Sequence, residues 1–204
     1  MAKRTFSIEE ALRFGWNTAE RNFGLLLKLI GISLVIYLVP AFVSEGLRGD
    51  YGPLASLIDL AAWVLGIVLT LGWMRVSLML VDGRAPRFED LFPFERMVVS
   101  YFFASVLYAI ITMLGFMLLI VPGIILAVMY VFYGYLIVDR GVGSLESLSE
   151  SGKITTGFKG QIFLYGLVVG ALNFLGALAL GVGLLVTVPV TAIATASIYR
   201  KLSR

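Results

Sequence analysis

Residues 97–138 read MVVSYFFASVLYAIITMLGFMLLIVPGIILAVMYVFYGYLIV, 42 positions without one charged side chain. A helix that crosses a bilayer needs about 20 mostly apolar residues, so this stretch holds two helices and a tight turn. Residues 160–199 are likewise uncharged over 40 positions and read the same way. Two shorter uncharged runs, Leu29–Ser44 and Leu60–Met74, hold one helix each. The chain is therefore predicted to be an all-α integral membrane protein, a single domain over 1–204. Its six transmembrane helices fall at about 23–43, 55–80, 98–119, 121–138, 161–179 and 182–199, paired as three helical hairpins.

Composition agrees: 59% of residues are hydrophobic and 14% charged, where soluble domains carry about 25% charge. The net charge of +3 does not mark a nucleic-acid surface, because the basic residues flank the apolar runs rather than gather on one exposed domain. With the N-terminus inside, 15 of the 16 Lys and Arg residues, Lys3, Arg4 and Arg204 among them, fall on the cytoplasmic side and only Arg48 outside. That asymmetry is the positive-inside signal, and adding or removing one span would destroy it. It predicts a multi-pass protein of the cell (inner, cytoplasmic) membrane with both termini cytoplasmic. The first six residues run into the polar Ser7-Ile8-Glu9-Glu10 rather than an apolar core, so no cleaved signal peptide is expected.

Histidine and cysteine are both absent. Disulfides, thiolate nucleophiles, imidazole bases and His/Cys metal sites are thereby excluded, and no cofactor is expected. The carboxylates are scattered; only Asp82, Glu89 and Asp90 lie close together, and Arg84, Arg87 and Arg96 balance them. The expected protein is not an enzyme. Its expected partners are membrane lipids, with a protein partner or a second copy of the chain as the other class, and no nucleic acid.

Three polar segments, 6–22, 88–96 and 144–156, each precede a pair of predicted spans. In the first, Ser7 and Glu10 form a capping-box pattern, and Ile8, Ala11, Leu12, Gly15, Trp16, Ala19 and Phe23 recur at helical spacing as an apolar face, with Glu9, Glu10, Arg13, Asn17 and Glu20 on the other side. This is an amphipathic helix expected to lie in the membrane interface. Ser147 and Glu150 repeat the capping pattern, and Ser7, Glu9, Gly15 and Thr18 fall on Ser144, Glu146, Gly152 and Thr155 at a constant offset of 137. A weak threefold repeat over 6–81, 87–138 and 143–200 is consistent with this order.

Lys28, Asp59 and Arg75 are the charges nearest membrane depth. Such residues are functional candidates by default, although snorkelling from span ends accounts for the two basic ones. Pro122 is expected at the start of the fourth span after a turn. Pro189 falls mid-span, where it removes the bond to the Leu185 carbonyl and leaves Thr187 and Thr191 to compensate. Gly166 with Gly170, and Ala192 with Ala196, are small-residue faces expected to pack helices closely. Tyr130, Phe132, Tyr133 and Tyr135, with Tyr101, Phe102 and Phe103, read as an aromatic belt at headgroup level.

Phe88-Glu89-Asp90-Leu91-Phe92, then Val121-Pro122-Gly123-Ile124 and Ile137-Val138-Asp139, then Leu145-Glu146-Ser147-Leu148-Ser149-Glu150-Ser151 and Thr155-Thr156-Gly157 occur in that order. Together with Phe6-Ser7-Ile8-Glu9-Glu10-Ala11-Leu12 and Gly15-Trp16, they resemble a poorly characterised family of bacterial and archaeal six-span membrane proteins. It is the family related to the membrane domain of some glycerophosphodiester phosphodiesterases. The resemblance implies a six-helix membrane fold with short cytoplasmic interfacial helices. It implies no diesterase activity, which in the fused proteins belongs to a separate soluble domain, and it transfers no catalytic position.

Overall fold

The computed structural model describes residues 6–49, 51–92 and 95–203; Lys3, Arg4 and Arg204 of the charge asymmetry, and Asp50, lie outside the described residues. All regular structure among the described residues is helical: α1 (Ile8–Arg21), α2 (Phe23–Leu47), α3 (Gly52–Val81), a 3-10 turn (Phe88–Leu91), α4 (Glu95–Leu118), α5 (Ile120–Met129), α6 (Tyr133–Arg140), α7 (Ser144–Ile154), α8 (Lys159–Leu178) and α9 (Leu184–Ser203).

The ends of α1 follow from its sequence. The Ser7 hydroxyl accepts from the Glu10 amide at 3.4 Å, as the capping pattern requires, while the Glu10 carboxylate pairs with Lys201. At the other end the Asn22 side-chain amide donates to the Thr18 carbonyl at 2.9 Å, beside the backbone N–H of the same residue at 3.2 Å. The second capping pattern is corrected: α7 begins at Ser144 with Gly143 as its cap, and Ser147 is buried inside the helix.

Five helical stretches are long and apolar enough to cross a membrane: α2, α3, the stretch ending with α4, α5 taken together with α6, and α8. Expected and observed boundaries of these differ by a few residues, as helix ends do. The fourth departs further, since the chain leaves the helix at Tyr130–Phe132 and restarts at Tyr133.

The sixth expected span, α9, is less apolar because it lies in the core. Half of its 20 residues are buried, against three in α8. Its Thr191 and Thr195 hydroxyls bond to carbonyls one turn back at 2.8 and 2.7 Å, so polar side chains are tolerated in its packed interior. Around α9 pack α1, α3 and α8, while α2 pairs with α3 and α4 with α5.

Two packing results differ from the sequence reading. The aromatic residues are divided: Phe103 is exposed, as a belt residue would be, whereas Phe132 and Tyr135 are buried, Tyr135 stacks on Tyr199 at 5.5 Å and Tyr133 stacks on Tyr101 at 5.4 Å. The buried and stacked rings fill the gap left where the fourth helix breaks. Gly166 and Gly170 face open space, and the close approach of α8 to α9 occurs at Gly176 and Gly183, beside the turn. On α8 the small-residue pattern marked the right helix and the wrong level, whereas on α9 Ala196 is fully buried, as a packed face requires.

Candidate functional site

The carboxylates and guanidinium groups converge at the end of the bundle where α3, α6 and α9 finish. Asp82 caps α3, Asp139 stands one residue before the end of α6, and Arg200 lies in the last turn of α9. Arg200 bridges them, Nη2 to Asp82 at 2.8 Å and Nη1 to Asp139 at 2.7 Å. All three side chains are less than one fifth exposed. The Tyr199 hydroxyl donates to the second Asp139 oxygen at 2.8 Å, and Arg84 adds a bond to Asp82 at 2.7 Å.

Burial raises the pKa of Asp82, yet the hydrogen bonds and positive charge of Arg84 and Arg200 outweigh that effect and hold it below the ordinary carboxylate range. Each Asp139 oxygen is already engaged by a donor. A carboxylate in that state is a poor general base; what the network does is tie three helix ends together. Around it, Arg140 bonds Glu150 at 2.6 Å and the Ser203 carbonyl at 3.0 Å. The Lys201–Glu10 pair joins α1 at 2.7 Å.

The carboxylate grouping expected from sequence is divided. Asp82 goes to Arg84 and Arg200, whereas Asp90 pairs with Arg75 at 3.2 Å and accepts from the Arg87 amide at 2.8 Å. Glu89 is exposed. Asp139, Arg200 and Tyr199 were not singled out as a site, because residues 61 apart on two different apolar helices carry no local signal of meeting.

The other candidates are placed individually. Lys28 is exposed on α2. Asp59 pairs with Arg48 at 3.0 Å, and Arg48 also reaches Glu45, so the end of α2 is latched by charge to the first half of α3. Pro122 is half-buried in the first turn of α5, where the missing amide proton costs nothing, beside the contact of Gly123 with Phe116. Pro189 is buried in α9. The compensation expected there is different: Thr191 donates to the Thr187 and Val188 carbonyls, and the Thr187 hydroxyl is buried without a partner among the described residues.

Two apolar grooves flank α1. One, of about 370 Å3, runs between Trp16, Glu20 and Phe23 on one wall and Leu185, Val186 and Pro189 on the other. The second, of about 450 Å3, lies on the opposite side of Trp16, between Leu12 and Arg13 and Leu172, Thr187 and Val190. Trp16 is 54% exposed, so this side chain stands between the grooves instead of being docked into the protein. No protein-family model, curated protein or solved structure matches this chain.

Proposed function

We propose that this is a non-enzymatic multi-pass protein of the cytoplasmic membrane, with both termini inside, that holds membrane lipid against its cytoplasmic half. The single observation carrying the reading is the contrast between a filled centre and open flanks. Phe132, Leu136, Ile198 and Tyr199 are essentially inaccessible, whereas the grooves beside α1 are open and mostly apolar. Acyl chains fit such grooves, and Arg13 and Glu9 at the rim of one of them match the phosphate and ammonium of a zwitterionic headgroup. The closed Asp82–Arg200–Asp139 network supports a structural role for these converging carboxylates. The resemblance to the six-span family is compatible with this reading and adds no activity to it.

The rival reading, a small permease, draws on the unpartnered Thr187 hydroxyl beside Pro189. The test is native mass spectrometry of the protein released from mild detergent, alongside solute flux into proteoliposomes. Retained phospholipid that is lost in Leu172→Trp, which fills the larger groove, supports the lipid-holding reading. Solute flux above that of protein-free liposomes, with no retained lipid, overturns it.

A further inference from the structure

We propose that the lipid held beside α1 is an aminophospholipid, with its phosphate on Arg13 and its primary ammonium on Glu9 at the rim of the larger groove. The proposal rests on the lipid-holding reading above and goes beyond it by separating a primary ammonium from choline and from anionic headgroups.

Glu9, Leu12, Arg13 and Trp16 line that groove from one face of α1, at positions i, i+3, i+4 and i+7. Glu9 and Arg13 are one turn apart, a spacing at which opposite charges readily pair. They do not pair in this structure: both are exposed, and neither side chain has an ion-pair or hydrogen-bond partner among the described residues. The neighbouring Glu10 is instead taken up by Lys201 at 2.7 Å. Glu9 and Arg13 therefore stand as an open acid and base at the edge of an apolar surface.

Their separation suits the headgroup. Four residues of helix rise about 6 Å, and ethanolamine joins phosphate to ammonium through a short two-carbon linker, within reach of two flexible side chains. Arginine presents its guanidinium fork to phosphate as a bidentate, charge-assisted pairing. A carboxylate is the matching acceptor for an ammonium that carries N–H donors. The remaining lining, Leu12, Trp16, Leu172, Thr187, Val190 and Thr191, is uncharged and takes an acyl chain.

Other headgroups meet this rim less well. Choline has no N–H for Glu9, and quaternary ammonium is recognised by cages of aromatic rings, whereas Trp16 is the one aromatic residue in the lining of this groove. Phosphoglycerol satisfies Arg13 but offers Glu9 only neutral hydroxyls in place of a cation. The smaller groove carries Glu20 without a basic residue in its lining, so phosphate finds its cation at the larger one. The chain as a whole has a net charge of +3, and basic residues at a membrane surface by themselves favour anionic lipid. The preference for a zwitterion is thus set locally, by Glu9.

The test is native mass spectrometry of the full chain in mild detergent. The probes are equimolar phosphatidylethanolamine, its monomethyl and dimethyl derivatives, phosphatidylcholine and phosphatidylglycerol, all with identical acyl chains. Retention should fall stepwise as methyl groups replace N–H donors, with ethanolamine favoured over choline and phosphoglycerol by about tenfold, the worth of one charge-assisted hydrogen bond. Glu9→Gln should flatten the methylation series while lipid is still retained, and Arg13→Gln should weaken retention of all the phospholipids alike. The series on the wild-type chain is decisive even where a variant does not accumulate. Equal retention of ethanolamine and choline lipids, or preferential retention of phosphoglycerol lipid, overturns the headgroup assignment and leaves the lipid-holding reading standing, as does a methylation series that keeps its slope in Glu9→Gln. No retained lipid, or a dimer of chains free of lipid, overturns both.

Discussion

Helices α1 and α7 each lead into a pair of long apolar helices, and they dock by opposite chemistry. α1 lies against α9 through Ala11, Gly15 and Ala19, with a Cβ at Gly15 only 2.5 Å from the Val190 carbonyl and one ion pair, Glu10–Lys201, at the end of the seam. α7 docks through hydroxyls. Ser151 donates to the Met129 carbonyl at 3.0 Å and accepts from the Phe132 amide at 3.2 Å, and Thr155 also reaches Met129 at 3.0 Å. These bonds replace the helical ones lost where α5 stops and α6 begins. A small-residue seam gains dispersion from close backbone approach, whereas a hydroxyl seam repairs backbone that cannot be left bare in the membrane. One helix needs space and the other needs partners.

The comparison is broken most severely at Gly15. Gly15→Leu places a side chain into the α9 backbone, and since both helices are regular there neither yields cheaply. We expect α1 to detach or the protein to fail to accumulate, a loss of at least about 3 kcal/mol, read as early thermal unfolding in lipid nanodiscs. A variant unfolding at the wild-type temperature would mean that the seam is not the one described.

Arg200→Met tests the charged ends that both seams flank. It leaves Asp82 and Asp139 facing each other with their shared cation gone, at a cost of about 2–4 kcal/mol. Acid probes the same network. Because the Asp82 pKa is held below its usual value, its contribution is complete above about pH 4 and is lost as pH falls through the lowered pKa. Thermal stability that stayed flat from pH 6 to well below about pH 3 would contradict this.

Ser151→Ala should cost about 1–3 kcal/mol by stripping the Met129 carbonyl and Phe132 amide of a partner, with Ser149→Ala, exposed on the same helix, as the near-neutral control. Amide exchange at Phe132 should accelerate in the first variant alone. The smallest effect is expected at Gly170→Ala, where a Cβ meets nothing within 4 Å. Helix propensity favours the alanine by up to about 1 kcal/mol. A large destabilisation would restore the sequence reading in which Gly166 and Gly170 form a packed face.

Membrane class and the position of most helices were legible in the sequence, since a run such as 97–138 without a charge has one suitable solvent. The Ser7 cap and the first-turn place of Pro122 were legible too, being set by neighbours in the chain. What the sequence left open was which part of an apolar face meets another helix. On α1 the small members of that face, Ala11, Gly15 and Ala19, are buried against α9 while Trp16 stays exposed, because a helical partner selects small residues where lipid accepts large ones.

The aromatic cluster, the partition of Asp82 from Asp90 and the bridge from Arg200 to Asp139 share that origin. Each joins residues far apart in number through contacts across helices. The sequence by itself determined the solvent, the helices and their local caps, because hydropathy and capping act over a few residues. Tertiary structure alone decided which helix is central and which charges meet, because those contacts join residues far apart in number and only packing brings them together.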